Sequence, residues 1–461
     1  MPAATMRVSA RDADVVLDVD VVVCGAGPAG MGAALAAARG GATVALVERY
    51  GCFGGNLTVA EVGTICGLYL RDGPGSFAPV TGGIAREFAR DLLDAGSGLG
   101  PYPFKDTAVF LYVPWAAKRL ADHLLTETEA AQRITPLLHA LVSDVVLDDD
   151  THAIRGVVIA SKQGPKVVAA RVVIDATGDA DVAVAAGTSW AMGDPGLRQF
   201  GSMQFVIQHA ADDAVLAGGP GALAQAVAAH GAHLSRDGGA LIPTFRPGEV
   251  LGAMVRVGRH GEPLDGTDLF DLTYGELEGR RLAEEAFAFV REHVDGFADS
   301  FLAGTAMQQG VRETRHIVGE RTLRAADVVE LTHTESDVAV AAWPQEFHVT
   351  GRGTEYRFLP DGASYGIPFG ALVPQRGAGP RGAGGRVPTN LLVAGRCISA
   401  EHGALASCRV MASCMAMGEA AGTAAALACR DGAATDTVDI AAIDVATLRT
   451  DLLDHGAVLD S

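Results

Sequence analysis

The sequence predicts an α/β fold in which a parallel sheet carries a Rossmann-like dinucleotide-binding unit. An apolar run, Val21–Val23, leads directly into a turn that contains Gly25, Gly27 and Gly30. A helix is expected to follow, and a second apolar run, Ala42–Val47, then ends on an acidic residue. This order of strand, glycine turn, helix and strand closed by an acid is typical of a βαβ unit that binds a dinucleotide. The alternative is a purely structural glycine turn in an ordinary parallel sheet.

Each part of this unit has a physical role. Gly25 permits a tight turn, Gly27 lets a pyrophosphate approach the backbone, and Gly30 lets the helix sit close on the sheet. Free N–H groups at the start of the helix favour the anionic pyrophosphate. Glu48 stands where a carboxylate accepts hydrogen bonds from the hydroxyls of an adenosine ribose. The expected cofactor-binding residues of this unit are Gly25, Gly27, Pro28, Ala29, Gly30, Glu48 and Arg49.

Composition narrows the class of protein and its partners. A chain of 461 residues exceeds the size at which one core keeps growing, which favours two domains. The 36 basic and 55 acidic residues give a net charge of −19, and such a surface repels phosphate backbones and anionic lipid heads. We therefore expect neither nucleic acid nor an anionic membrane surface as a partner.

Targeting signals and cysteines favour a cytoplasmic protein. The first residues reach Arg11 and Asp12 without an apolar segment, so no signal peptide is expected. The stretch Val410–Cys429 is rich in Ala and Gly and contains Glu419, which predicts a buried helix and not a membrane span. Seven cysteines lack the paired spacing of a disulfide framework or a zinc site, so no metal site is expected.

The first half of the chain continues in α/β style beyond Glu48. Helical spacing marks Thr81–Leu93 and Trp115–Leu125, and Leu137–Leu147 and Ile154–Ile159 are predicted to pair as strands. A further strand, Val167–Asp175, ends on a turn with Thr177, Gly178 and Asp179.

In the second half of the chain, the alternation of strands and helices that is typical of a βαβ fold is lost and then resumes. Between Ser202 and Thr354 no glycine-rich phosphate loop occurs, which indicates an inserted α+β substrate domain. After the insert, the chain is predicted to form a loop, Gln375–Arg386, and then a strand, Asn390–Ala394. The predicted boundaries are 14–200 and 361–435 for the cofactor domain, 201–360 for the insert and 436–461 for a C-terminal tail.

Several motifs together resemble a known family. The loop Gly54-Gly55-Asn56 follows the ribose-binding strand, Ala394–His402 reads A-G-R-C-I-S-A-E-H, and Gly418–Gly422 reads G-E-A-A-G. With the glycine turn and Gly310–Arg315 (G-V-R-E-T-R), they resemble the bacterial FAD-dependent oxidoreductases of the glutathione-reductase-like flavoproteins, which have two dinucleotide-binding domains. The matches extend from residue 20 to residue 425.

The resemblance implies FAD as the cofactor, extended along the first domain. It places the glycine loop near the diphosphate and flavin, Val142 near the adenine, and the amino end of the Val410 helix at the flavin pyrimidine oxygens. Backbone N–H groups at a helix start stabilise the negative charge of reduced flavin there. The further cofactor-binding residues implied are Gly54, Gly55, Asn56, Leu57, Val142, Thr177, Gly178, Asp179, Gly395, Arg396, Val410 and Met411.

Four side chains are candidates for catalysis or substrate binding. His402 is the first candidate for handling a proton, with Glu401 expected to raise its pKa or hold its tautomer; its alternative is a structural role. Arg409 suits a substrate carboxylate or the flavin edge. Arg312, predicted to share a helical face with Arg315, is a candidate anion ligand or part of a salt-bridge face. Tyr365 offers a phenol over the ring or packs in the core.

The predicted function is an FAD-dependent oxidoreductase that dehydrogenates or reduces a small organic substrate by hydride transfer at flavin N5. Two alternatives stay open: a monooxygenase or oxidase that uses O₂, and an electron-transfer subunit without a substrate of its own. The sequence leaves NAD(P)H, O₂ and a protein as candidate electron partners. A disulfide reductase is disfavoured because no Cys-x-x-Cys pair occurs.

Overall fold

A computed structural model describes most of the chain. The residues described are 12–194, 197–211, 222–348, 351, 353–376, 387–431 and 438–460. The start of the chain, on which the expectation of no signal peptide depends, lies largely outside them, as does most of the predicted loop Gln375–Arg386.

The first part of the chain contains twelve named strands and four α-helices. The strands are β1 (Asp14–Cys24), β2 (Val44–Val47), β3 (Thr64–Ile65), β4 (Tyr69–Gly73), β5 (Ser76–Pro79), β6 (Gly98–Phe104), β7 (Thr107–Tyr112), β8 (Ile134–Leu137), β9 (Leu141–Leu147), β10 (Ile154–Ser161), β11 (Gly164–Asp175) and β12 (Trp190–Met192). The helices are α1 (Pro28–Arg39), α2 (Gly83–Asp94), α3 (Pro114–Thr126) and α4 (Asp181–Ala185).

The middle and last parts follow in chain order. The strands are β13 (Phe205–Gln208), β14 (Ala240–Pro243), β15 (Val250–Ala253), β16 (Gly258–Arg259), β17 (Glu262–Pro263), β18 (Phe301–Thr305), β19 (Arg315–Ile317), β20 (Asp337–Ala341), β21 (Gln345–Phe347), β22 (Glu355–Arg357), β23 (Tyr365–Pro368) and β24 (Leu391–Val393). The helices are α5 (Ala222–His230), α6 (Leu269–His293), α7 (Ala325–Val329), α8 (His402–Cys408), α9 (Met411–Asp431) and α10 (Val445–Asp454).

A seven-stranded sheet forms the centre of the fold, in the order β8-β2-β1-β11-β10-β9, with β24 also paired to β11. Strands β8, β2, β1, β11 and β24 are mutually parallel, whereas β9 and β10 form an antiparallel hairpin. Because β1 occupies one edge of β11, the hairpin and β24 share the other edge. This sheet confirms the α/β prediction and is consistent with a Rossmann-like cofactor-binding fold.

The side chain of Asn390 fills the junction on that shared edge. Its Oδ1 accepts a hydrogen bond from the N–H of Ile154 at 2.9 Å, and its Nδ2 donates to the carbonyl oxygens of Ile154 and Arg171. One buried amide thereby satisfies backbone groups from two strands, where β24 begins beside the hairpin.

Helices α1 and α9 cross in direct backbone contact. A Cβ built on Gly418 or Gly422 would collide with the carbonyl oxygen of Ala29 or Ala33, and a Cβ on Gly32 would lie 2.5 Å from the carbonyl oxygen of Met415. Since glycine has no side chain, the two helices approach more closely than any other residue would permit at these positions.

A second layer is built from the middle of the chain. Strands β14, β15, β13 and β18 form a four-stranded antiparallel sheet, in that order. Helix α6 packs on it through Ala283, Phe287 and Val290, within a separate hydrophobic cluster. This unit lies across one end of the central sheet and contributes residues to the cavity described below.

The ends of the described chain are also packed. Helix α10 buries Leu448 and Leu452, which belong to the same core cluster as α1 and α9. In the part of the chain that the structure describes, no single helix is long and apolar enough to cross a membrane; the bent pair α8 and α9 meets the length and composition criteria together, at an angle of 95°. Helix α8 is fully buried and α9 is almost so, against the rest of the fold.

Replacing Gly418 with Ala should destabilise the protein by about 1–3 kcal/mol, because the new Cβ overlaps the Ala29 carbonyl and forces the helices apart. The measurement is the free energy of unfolding in urea. Gly304→Ala is the matched control, since a Cβ there meets no atom within 4 Å. Equal stability of the two variants would contradict the packing argument.

Candidate functional site

A cavity of about 1170 Å³ lies between the carboxyl ends of the parallel strands and the antiparallel sheet. Its volume exceeds the roughly 300–1,000 Å³ of an ordinary ligand pocket. The cavity therefore has room for a large cofactor and a second molecule. The predicted site residues that line it are Gly25, Gly27, Pro28, Ala29, Glu48, Arg49, Gly55, Asn56, Val142, Thr177, Gly178, Asp179, Arg312, Gly395, Arg396, Arg409, Val410 and Met411.

The first glycine turn has the geometry that its sequence predicts. Gly25 has a φ of +92°, and a Cβ there would lie 2.5 Å from the carbonyl oxygen of Ala176. A Cβ on Gly30 would collide with the Gly25 carbonyl, so this glycine closes the turn behind the cavity wall. Beside Gly27, the Cβ position has a single neighbour within 4 Å, Gly55 Cα at 3.9 Å. The backbone at Gly27 thus leaves space for a ligand.

The second glycine loop packs directly on the first. The N–H of Gly54 donates to the carbonyl oxygen of Ala26 at 2.7 Å. Gly55, with a φ of +50°, passes over Gly27, and a Cβ there would lie 2.9 Å from Gly27 Cα. Gly54 and Leu57 stand behind the lining, and the carbonyl of Leu57 accepts a hydrogen bond from Tyr112.

Glu48 is buried at the cavity wall, at the end of β2. Its Oε2 accepts a hydrogen bond from the N–H of Ala26 at 2.7 Å, and its Oε1 accepts one from the N–H of Tyr50 at 3.0 Å. Burial raises the pKa of Glu48, against the effect of these backbone hydrogen bonds. Each carboxylate oxygen keeps further acceptor capacity toward the cavity, as recognition of ribose hydroxyls requires.

Acidic and basic side chains form a network of hydrogen bonds at the end of β11. Asp179 accepts hydrogen bonds from Arg396 Nη2 at 2.9 Å and from Thr314 Oγ1 at 2.7 Å. Burial, followed by the charges of Asp179 and Asp175, raises the pKa of Asp181 to about 6. Arg396 also donates to the carbonyl of Val311 at 3.1 Å. These contacts hold the turn after β11 against the segment that carries Arg312.

The amino end of α9 opens on the same cavity as the amino end of α1. Val410 and Met411 line the cavity at the helix start. The N–H of Ala412 donates a hydrogen bond to the backbone carbonyl oxygen of Cys66 at 3.2 Å. Gly395, with a φ of +84°, passes close to Ala29 of α1, whose Cβ would lie 2.8 Å from a Cβ built on the glycine. The two helix starts therefore present their partial positive charge to one space.

Arg312 and Arg409 face the end of the cavity nearest the antiparallel sheet. Nη1 of Arg312 donates to the carbonyl of Phe200 at 2.7 Å, and Nη2 of Arg409 donates to the backbone carbonyl of Glu346 at 3.3 Å. Burial, followed by the charge of Arg409, lowers the pKa of Arg312 to about 9. Within the part of the chain that the structure describes, neither guanidinium lies within ion-pair distance of a carboxylate, although the charge of Glu346 acts on both.

Glu346 lies beside these arginines in a complete hydrogen-bond network. Its Oε1 accepts from His348 Nε2 and from the Tyr356 hydroxyl, both at 2.9 Å, and its Oε2 accepts from Trp343 Nε1 at 3.2 Å. Burial acts to raise the pKa of Glu346, but His348 and the two guanidinium groups hold it well below its usual range. Burial and the charge of Arg312 lower the pKa of His348.

The structure does not bring His402 to the cavity lining. His402 is buried on α8, where its Nδ1 lies 2.8 Å from Oε2 of Glu313. Glu401, the neighbour expected to hold the histidine, instead accepts a hydrogen bond from the N–H of Ala325. The prediction of Glu401 as the partner was wrong because α8 begins at His402, which turns the two consecutive side chains in different directions.

Tyr365 also lies away from the cavity. The side chain is completely buried in the main core, and its hydroxyl donates to Ser407 Oγ at 2.6 Å. Ser407 in turn donates to the carbonyl of Trp343. Burial raises the pKa of Tyr365 well above its usual range, so the structure corrects the expected position of this phenol over the cofactor to a place in the core.

The segment Gly310–Arg315 is extended, and the prediction that Arg312 and Arg315 share a helical face was wrong. Arg312 reaches the cavity, whereas Nε of Arg315 donates to the carbonyl of Asp179 and its guanidinium also pairs with Asp181. Long-range partners determine this conformation, and the spacing of charges in the sequence does not reveal them.

Several residues that line the cavity were not predicted from the sequence. The aromatic side chains Tyr102 and Phe104 come from the β6–β7 hairpin, while Trp343 and Tyr356 flank or belong to the β21–β22 hairpin. An alternating pattern in Glu346 and His348 places both on one face of a strand, which was a weak local signal. Among the described residues, no group of three or more His, Cys, Asp or Glu is arranged to hold a metal, and the seven cysteines are free thiols.

Comparison with known proteins points to one family. Residues 20–452 match the sequence model of a family described as FAD dependent oxidoreductase. No curated protein shows a significant match.

Similar solved structures include a geranylgeranyl bacteriochlorophyll reductase-like protein from Thermoplasma acidophilum (13% identity, 95% of this chain and 91% of that chain, TM-score 0.41). THI4 from Thermovibrio ammonificans is 24% identical over 36% of this chain and 61% of that chain, with a TM-score of 0.27. The flavin-dependent monooxygenase PieE, solved with FAD and substrate, is 14% identical over 67% and 52% of the two chains, with a TM-score of 0.38.

Tyr365→Phe should lower the free energy of unfolding by about 1 kcal/mol, because it removes one buried hydrogen bond to Ser407. Bound FAD per chain should be unchanged, since this phenol does not line the cavity. Denaturation in urea and the flavin absorbance measure the two quantities. Tyr274→Phe is the control, and a loss of FAD in the Tyr365 variant alone would contradict this structural role.

Proposed function

Because this chain belongs to the FAD-dependent oxidoreductase family, we propose that it dehydrogenates or reduces a small organic substrate, bound beside FAD in the 1170 Å³ cavity. The observation that carries the proposal is the continuity of this cavity. One end is lined by the glycine turns and helix starts that suit a dinucleotide, and the other by Arg312, Arg409 and aromatic rings. Cofactor and substrate would thus share one enclosed space.

FAD is the cofactor of this family, and the described residues fit it. Space beside Gly27 and under Gly55 allows a diphosphate to approach the backbone, and Glu48 presents carboxylate oxygens to a ribose. The starts of α1 and α9 supply positive electrostatic potential without a charged side chain. Bound FAD supplies the two-electron chemistry, as transfer of a hydride to or from flavin N5.

The chain's own residues would bind and orient the substrate at the other end. Arg409 lies two residues before the start of α9, and Arg312 immediately follows Val311, which accepts a hydrogen bond from Asn56 of the glycine loop at 3.2 Å. Both guanidinium groups therefore adjoin cofactor-binding segments. We assign them to positioning a substrate group next to the reacting part of the cofactor.

For the proton, we propose Tyr356 in place of His402. The Tyr356 hydroxyl belongs to the cavity lining and is held by Glu346 at 2.9 Å, whereas His402 is buried behind it. Burial raises the pKa of Tyr356, which keeps the phenol protonated. Its proton is donated to Glu346, so the hydroxyl oxygen can accept a hydrogen bond from a substrate group, and the phenol would donate to a substrate oxygen only on exchanging Glu346 for that oxygen.

We also propose that residues 201–360 form the substrate domain, and that the chain belongs to the branch with two dinucleotide-binding domains. The separate hydrophobic cluster around α6 and the four-stranded sheet supports the first assignment. The parallel arrangement of β2, β1, β11 and β24 in one sheet supports one dinucleotide-binding domain of that branch.

Anaerobic mixing of the purified holoenzyme with candidate reductants tests the reaction type. The expected result, without consumption of O₂ in turnover, is either bleaching of the oxidised flavin by an organic substrate or reoxidation of the reduced flavin by one. Bleaching by NADH or NADPH followed by O₂-dependent product formation would establish a monooxygenase instead. Reduction by a protein partner alone would favour an electron-transfer subunit and overturn the proposed substrate chemistry.

Glu48→Ala should weaken FAD binding roughly 10–100-fold, because a charged acceptor for the ribose hydroxyls is lost. Titration of the apoprotein with FAD, followed by flavin fluorescence, measures the dissociation constant. Glu87→Ala is the control, since that carboxylate is partly exposed and pairs with Arg39. Thermal unfolding of the apoprotein separates a binding defect from loss of the fold, and an unchanged dissociation constant would refute the role of Glu48.

A further inference from the structure

The end of the cavity near the antiparallel sheet has a net positive charge. Arg312, Arg409, Arg236 and Lys105 line it together with the exposed Asp237 and one buried carboxylate, Glu346. The Glu346 carboxylate accepts hydrogen bonds from His348, Tyr356 and Trp343. It lies outside ion-pair distance of both Arg312 and Arg409. Positive charge therefore exceeds negative charge at this end.

The guanidinium N–H groups of these arginines differ in how many hydrogen bonds they donate within the protein. Arg236 donates to the carbonyl of Ala253 at 2.9 Å and to Thr354 Oγ1 at 3.1 Å. In contrast, Arg312 and Arg409 each make one hydrogen bond to a backbone carbonyl, and the buried Nε of Arg409 has no partner among the described residues. Two guanidinium groups with spare donors thus face a single space.

An unneutralised buried charge is costly. Taking a cation out of water costs several kcal/mol unless an opposite charge and hydrogen bonds compensate it. The lowered pKa of Arg312, caused first by burial and then by Arg409, reflects that cost. A bound anion would remove it, and paired guanidinium groups match the planar, two-oxygen geometry of a carboxylate.

Aromatic rings form the wall beside the arginines. Phe104 stacks near Trp343 with ring centroids 6.2 Å apart and an interplanar angle of 13°, and it meets Tyr356 edge-on at 6.0 Å. Nζ of Lys105 lies 3.9 Å from the centroid of the Tyr356 ring. Such a wall favours a flat, unsaturated body on the ligand, since aromatic rings stabilise one another by offset or edge contacts.

We propose that the substrate is an aromatic carboxylate, whose carboxylate is bound by Arg312 and Arg409 and whose ring packs on Phe104, Trp343 and Tyr356. This inference rests on the proposed function, because it names the substrate class for the same cavity. Since both arginines adjoin the start of α9 or the Asn56 contact, the carboxylate would also fix the distance between substrate and cofactor. An aromatic carboxylate should therefore bind more tightly than a neutral or a purely aliphatic compound of similar size.

Isothermal titration calorimetry on the purified holoenzyme tests the proposal with defined probes. Benzoate, cinnamate and 2-naphthoate are compared with their neutral amides and with cyclohexanecarboxylate. At least one aromatic carboxylate should bind about tenfold or more tightly than its amide, because charge-assisted hydrogen bonds are lost in the amide. The same carboxylate should also bind more tightly than cyclohexanecarboxylate. Equal affinity for acid and amide in all three pairs would overturn the proposal.

Substitutions of the two arginines test which residues discriminate between the aromatic carboxylate and its amide. Arg312→Gln and Arg409→Gln should each weaken binding of the aromatic carboxylate about tenfold or more, leave amide binding unchanged and retain FAD. Arg198→Gln is the control, because Arg198 lies outside the cavity lining and is 3.6 Å from Asp265. Loss of FAD in the two variants without a change in carboxylate affinity would show that the arginines neutralise the cofactor instead.

This experiment separates the two proposals. Calorimetry detects the anion whether or not the flavin is reduced, so failure of carboxylate binding with normal substrate-linked flavin reduction would overturn the inference alone. Normal discrimination between acid and amide with no substrate able to reduce or reoxidise the flavin would overturn the proposed reaction alone.

Discussion

Direct backbone contact between the helix Pro28–Arg39 and the helix Met411–Asp431 is the constraint on which the site depends. Gly418, Gly422 and Gly32 remove the side chains that would separate the two helices. The contact joins segments from opposite ends of the chain and brings both helix starts to one cavity. Any larger residue at the crossing would move the second helix start relative to the glycine turn, because packed interiors have little free volume.

Charge is distributed unevenly in this protein. The chain carries a net charge of −19, yet Arg312 and Arg409 line the cavity outside ion-pair distance of any carboxylate in the described structure. Elsewhere in the same cavity, Asp179 and Arg396 satisfy each other at 2.9 Å. The contrast indicates which polar groups maintain the fold and which remain available to a ligand, since a compensated pair has little left to offer an incoming molecule.

Local patterns failed where long-range contacts chose the conformation. The spacing of Arg312 and Arg315 suits a helix, but the segment is extended because it bridges Phe200, the Asn56 loop and Asp179. Likewise, Glu313, far away in sequence, became the partner of His402 in place of the adjacent Glu401. The candidate catalytic histidine is consequently buried, and aromatic side chains from two separate hairpins occupy the cavity instead.

The sequence by itself determined the α/β class and the geometry of the glycine turn, because these depend on glycine conformations and strand ends within short segments. The cofactor followed from the resemblance of the motifs to a family of FAD-dependent oxidoreductases. The family resemblance also predicted that the segments around Gly55 and Gly395 belong to the site, and both glycines line the cavity. Only the tertiary structure decided which charged groups are left without partners and which side chains meet in the cavity. Those properties arise where segments distant in sequence pack together, and burial then sets the cost of every charge that remains unpaired.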